Sequence, residues 1–134
     1  MADHFIQFSF EFQCTKQEGE ALLKALDSLL DPGNEYKYDS DKNSFWISNL
    51  GYGEVEPIAQ EIQNSCQETL SLGPIGFEWS HSCSKPEIDA FGGGYCIITK
   101  DEIIIESTED LLKQRLRDIE IFYISELASY VKKK

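Results

Sequence analysis

The sequence predicts an α+β fold: one domain whose two β-(α or loop)-β-β-α halves share a mostly antiparallel sheet, with helices packed on one face. Three observations predict it. Phe5–Phe12, from Ile6 or Phe8 onward, and Phe77–Cys83 alternate apolar and polar residues, the period of a half-buried strand. Thr15-Lys-Gln-Glu18 has the reciprocal spacing of a capping box and is followed by leucines at helical intervals. The order of elements over residues 5–70 then recurs over 75–131. A chain of 134 residues is about one domain (1–134) and long enough to bury a core.

The first strand, Phe5–Phe12, leads into the capping box, and Leu22, Leu23, Leu26, Leu29 and Leu30 form the apolar stripe of the first helix. Asp31-Pro-Gly-Asn34 stops it with turn chemistry. A hairpin follows, Glu35–Asp39 and Ser44–Asn49, joined through Ser40-Asp-Lys-Asn43. After the glycine-flanked turn Gly51-Tyr-Gly53, Glu54 and Glu56 suit the positive end of a second helix and Pro57 fits its first turn. Its stripe is Ile58, Ala59, Ile62, Cys66 and Leu70.

The second half begins with Phe77-Glu-Trp-Ser-His-Ser-Cys83, and Cys83-Ser-Lys-Pro-Glu echoes Cys14-Thr-Lys-Gln-Glu across 69 residues. Here Pro86 and Gly92–Gly94 replace the first helix by a loop. A hairpin, Tyr95–Thr99 and Glu102–Glu106, turns at Lys100-Asp101. A duplication and a chance likeness of two strand endings both account for the echo. From Ser107-Thr-Glu-Asp110 a helix runs along 108–131, with Leu112, Leu116, Ile119, Tyr123, Leu127 and Tyr130 in one stripe and Lys132–Lys134 at its negative end. The breadth of that stripe leaves core and homodimer surface both open. Phe8, Phe10, Leu26, Trp46, Ile62, Phe77, Trp79, Ile97 and Leu116 are the predicted core.

The formal charge is −12, divided as −8 over residues 1–67 and −4 over 68–134, so the acidity is spread along the chain. Such a field repels phosphate backbones and anionic membranes and suits a basic protein partner, including one that itself binds nucleic acid. Met1-Ala-Asp-His4 lacks the basic and apolar regions of a signal peptide, and no apolar run reaches transmembrane length, so a cytoplasmic protein is expected. Cys14, Cys66, Cys83 and Cys96 lie 52, 17 and 13 residues apart without a Cys-x-x-Cys pair. With two histidines in the chain, free thiols and no metal or cofactor are the expectation.

Catalytic devices are missing from the motifs. Gly92–Gly94 leads into a strand-like run, not a helix whose amides would face a phosphate, and neither dinucleotide nor P-loop spacing is present. His81 and Cys83 lie two apart on one strand face, a core-like arrangement for a thiol. Asp39-Ser-Asp41-Lys-Asn43 starts like a calcium loop but has Ser44 and Leu50 where glycine and glutamate belong. A non-enzymatic protein is predicted. The candidate binding residues are Lys85, Asp89, Phe91, Gly92, Gly93 and Gly94, because a triple glycine is kept where the backbone needs φ > 0 or close approach.

Cys83-Ser-Lys-Pro, then Phe91-Gly-Gly-Gly94 and a strand–turn–strand, resembles a set of small uncharacterised proteins of phages and bacterial mobile elements, over residues 70–107. Glu87 departs from that set, in which a basic residue is common after the proline. The resemblance brings no established activity. It implies an accessory protein that blocks a host system. The resulting expectation is a small acidic interaction protein that binds and inhibits a host (defence-type) protein through its acidic surface and the 85–94 loop. The alternative is a small-ligand binder whose glycines admit a phosphate or nucleotide.

Overall fold

Alternation along the strands decides which face of the sheet is covered. In the computed structural model, residues 3–29, 31–88 and 90–133 are described, with all their side chains except those of residues 129 and 131–133. The strands are β1 (His4–Gln13), β2 (Asn34–Asp39), β3 (Ser44–Asn49), β4 (Ile75–Cys83), β5 (Gly92–Ile98) and β6 (Ile103–Ser107). They form one antiparallel sheet in the order β2-β3-β1-β4-β5-β6. Phe8, Phe45, Ile47, Ile75, Phe77, Cys96 and Ile98 point from one face into the core, where Phe10 stacks on Phe77 with ring centroids 4.0 Å apart. The helices α1 (Lys16–Ser28), α2 (Val55–Ser65) and α3 (Gln67–Leu70) supply Leu22, Leu26, Ile58, Ala59, Ile62 and Leu70 to the same core.

The capping box forms as its spacing predicts: Glu18 N donates to Thr15 Oγ1 at 3.2 Å, and Thr15 N donates to Glu18 Oε1 at 3.0 Å. Glu18 does a second job. Its carboxylate also accepts from Thr69 N at 3.1 Å and from the Thr69 hydroxyl at 2.5 Å, tying the start of α1 to α3. α1 lies over β2, where its Gly19 meets the Tyr38 ring so closely that a Cβ would sit 2.6 Å from it. In the turn between β2 and β3, Asn43 takes φ 51°, a left-handed position that asparagine tolerates.

The two halves repeat in element order but not in pairing. β1 pairs with β3, the second strand of its hairpin, because α1 carries the chain across to place β2 on the outside. β4 pairs with β5, the first strand of its hairpin, because no helix intervenes. α2 then reaches over β5 and β6, so the first half's helix covers the second half's sheet. The fourth helix, α4 (Thr108–Lys133), touches β5 and β6 and is exposed along its described length.

Five expectations are corrected here. Leu116 is 50% exposed, since α4 does not cover the sheet. Trp46 is 36% exposed and Ile97 only half-buried, since both alternate onto the face opposite Phe45, Ile47, Cys96 and Ile98. The second helix breaks at Cys66 into α2 and α3. Gly92–Gly94 is not loop but the beginning of β5. Leu30, expected in the first helix's stripe, lies outside the described residues, as do the side chains of Lys132 and Lys133 and the whole of Lys134. Among the described residues no helix is long and apolar enough to cross a membrane.

Candidate functional site

The glycine run is explained by its neighbours. Gly93 lies opposite Ser80, and Gly94 lies between Trp79 and Ser107. A Cβ on Gly93 would collide with the Trp79 carbonyl, and one on Gly94 would meet the Glu106 carbonyl and come within 2.6 Å of the Trp79 ring. The indole therefore lies over a strand with no side chain at that point, its Nε1 buried without a hydrogen-bond partner. Gly92 has φ 153°, which favours glycine. The Thr108 hydroxyl donates to Gly93 O and accepts from Gly93 N, both at 3.1 Å, while Ser107 Oγ caps α4 by accepting from Asp110 N at 3.1 Å. The three glycines thus let β4, β5 and the root of α4 fit flush.

The connection that precedes them, residues 84–91, is what the strands leave outside. Lys85, Pro86 and Glu87 are exposed, Ile88 is 92% exposed and Phe91 is 56% exposed, whereas Ala90 is buried. Asp89 lies outside the described residues. Of the expected binding residues, Lys85 and Phe91 stand on the accessible loop and Gly92–Gly94 within the sheet.

Beneath this loop the β1–β4 register sets His4 opposite Cys83 and Ile6 opposite His81. The chain's two histidines meet there, His4 Nδ1 lying 3.3 Å from His81 Nε2. Glu87 folds back from the loop so that its Oε2 is 3.5 Å from His4 Nε2. One potential donor atom each from His4, Cys83 and Glu87 lies within 4.8 Å of the others. Sequence reasoning missed this meeting, since His4 and Glu87 are 83 positions apart and carry no motif. Only the pairing of β1 with β4 reveals it.

The uncovered face of the sheet is the other notable surface. Across it run two rows of paired positions, Lys37–Trp46–Glu11 and Glu78–Tyr95–Glu106. Glu35 and Asp39 share the face with Lys37 on β2. Trp46 Nε1 donates to Ser9 Oγ at 3.1 Å, which ties the indole to β1. The Tyr95 hydroxyl donates to Glu106, and this bond above all, with burial, raises its pKa.

Elsewhere, shifted titratable groups lie in the core. Burial alone would raise the Glu18 carboxyl, but hydrogen bonds from Thr69 and Thr15 outweigh it and hold the group below its ordinary range. The Cys66 thiol, hydrogen-bonded to Cys14 and buried, is pushed far up, and burial pushes Cys96 up to about 11. Such thiols are poor nucleophiles. All four cysteines are free. Shallow clefts lie between Cys14–Lys16, Lys42–Asn43 and Thr69–Pro74, and between Asp31–Gly33 and Ser48–Tyr52; neither is lined by the 84–91 loop. No family model, curated protein or solved structure matches the chain.

Proposed function

We propose that the chain is a non-enzymatic interaction protein that engages a basic partner protein through the uncovered, acidic face of its sheet, with the 84–91 loop as a second contact. The observation that supports this is the composition of that face: Glu11, Glu35, Asp39, Glu78 and Glu106 against Lys37 alone, with the accessible ring of Trp46 between Lys37 and Glu11. An accessible aromatic on a face of predominantly negative charge suits an interface that is steered electrostatically and fixed by burial of the ring. Ile88 and Phe91 add apolar contacts of a kind that a lone loop gains nothing by exposing. The mobile-element resemblance makes a host protein the natural partner, and blocking that protein the natural outcome. The small-ligand alternative has less to rest on, because Gly93 and Gly94 already accommodate neighbouring strands and an indole.

The test is affinity capture from the native host with the parent, a Glu11→Lys/Glu78→Lys double variant, Trp46→Ala and Phe91→Ala. One protein should be retained by the parent, released by raised salt, and lost with the double variant and with Trp46→Ala. Equal capture by the charge-reversed variant would refute the acidic face as the docking site.

The same interaction protein is proposed to be a homodimer, supported by α4. Leu111, Leu112, Leu116, Ile119, Phe122, Tyr123 and Leu127 are all exposed there, although a helix in water draws most of its stability from burying such a face. A second copy fits this face because the stripe is nearly palindromic. Antiparallel pairing sets Leu112 against Tyr130 and Ile119 against Tyr123, and brings Arg115 and Arg117 near Glu126. Light scattering should give twice the 15.3 kDa chain mass, and Leu116→Glu/Tyr123→Glu should return one chain mass. A parent that is monomeric at about 100 μM, a concentration at which even a micromolar dimer is formed, removes this part of the reading.

A further inference from the structure

We propose that His4, Cys83 and Glu87 form a zinc(II) site with one open coordination position, and that His81 orients His4 within it. The donors are an imidazole, a thiolate and a carboxylate, a set that suits zinc and is too soft for calcium or magnesium. Three elements deliver them: His4 from the start of β1, Cys83 from the last position of β4, and Glu87 from the loop that folds back. Sheet pairing fixes two of the three, because His4 and Cys83 are cross-strand partners. In tetrahedral coordination, bonds of about 2.0–2.3 Å place ligand atoms about 3.3–3.7 Å apart. The present spread of up to 4.8 Å has about 1 Å to close, and His4 and Glu87, both about half exposed, have room to move together.

His4 uses Nε2 as ligand, the ring nitrogen that already faces Glu87. Its Nδ1–H then donates to His81 Nε2, the 3.3 Å contact seen here. A ligating histidine almost always makes such a bond through its other nitrogen, which fixes tautomer and ring direction. On binding, the Cys83 thiol loses its proton to solvent and becomes the thiolate ligand. With three protein ligands the fourth position is left to water or to a donor group from outside.

The convergence is specific. The two histidines of the chain could stand anywhere, and they stand side by side with a cysteine and a carboxylate. Bound zinc would fasten the loop bearing Lys85, Ile88 and Phe91 to the β1–β4 pair. The inference does not depend on the acidic face binding a partner, and its test reads the metal alone.

The purified chain, freed of metal, is titrated with zinc against a chromophoric chelator and, separately, with cobalt(II). One zinc per chain is expected, and cobalt should produce thiolate charge-transfer absorption that disappears in Cys83→Ser. Glu87→Gln, on the exposed loop, and His4→Ala should each weaken zinc at least about tenfold. His81→Ala should weaken it about 10–100-fold with the stoichiometry unchanged, as expected when a bond to a ligating histidine is lost. Glu20→Gln, on the exposed side of α1, should bind as the parent does. Far-UV circular dichroism establishes that each variant is folded. No zinc uptake by the parent overturns the proposal, and so does unchanged affinity in both Glu87→Gln and Cys83→Ser.

Discussion

The first half of the molecule contains its own cover, whereas the second half borrows one. In β1-α1-β2-β3-α2, α1 lies over β2 and α2 continues across to β5 and β6. In β4-β5-β6-α4 the position of the first helix is taken by residues 84–91, and the counterpart of α2 is exposed along its described length. One missing helix thus changes three things at once. It turns a crossover into a meander, demands glycines where β5 fits against Trp79, and leaves a helix rich in apolar residues in solvent. Equal element order does not imply equal energetic roles.

Substituting residues one at a time in the two halves breaks this comparison most directly. Ile62→Ala in α2, fully buried, should cost about 3–4 kcal/mol in urea unfolding. A loss under about 1 kcal/mol would mean that α2 does not cover the second half. Next comes Gly94→Val. It forces β5 away from the Glu106 carbonyl and the Trp79 ring and should cost about 3 kcal/mol. If the variant melts with the parent, the glycine strand is not what makes the meander close.

Glu18 gives a smaller, pH-dependent effect. Its carboxyl is held below the ordinary range, so its contribution is fully present above the unfolded value of about 4.3 and is lost as pH falls through the lower folded value. Glu18→Gln should cost about 1–2 kcal/mol at neutral pH and flatten the acid limb of the stability curve. An unchanged acid limb would show that Thr69 and Thr15 do not hold the ionised form. Smallest of all is Leu116→Ala in α4, expected within about 0.5 kcal/mol at low protein concentration. A loss comparable to that of Ile62→Ala would place α4 in the core after all.

Local signals made the elements legible. The capping box, the Pro-Gly stop after α1 and both hairpins stand where residue spacing puts them, because each is decided within a few positions. What escaped was non-local. Trp46, Ile97 and Leu116 are apolar and correctly placed on their elements, but the covered face of a strand or helix depends on what packs there. The glycines carried a genuine signal of close approach, and the object approaching is the protein's own Trp79 and Glu106. The histidine pair was illegible for the same reason: a contact between β1 and β4 has no local pattern to announce it.

The anchorage of α4 has a mechanical consequence. Its 26 residues make a rod about 39 Å long, fastened by Ser107 and Thr108 at one end. A rod held at its root is a lever. A tilt of about 10° at the first turn would carry the far tip through about 7 Å, more than a full helical turn's rise. Small adjustments where Thr108 grips Gly93 therefore translate into large displacements of whatever the distal half holds, and β5 becomes the fulcrum.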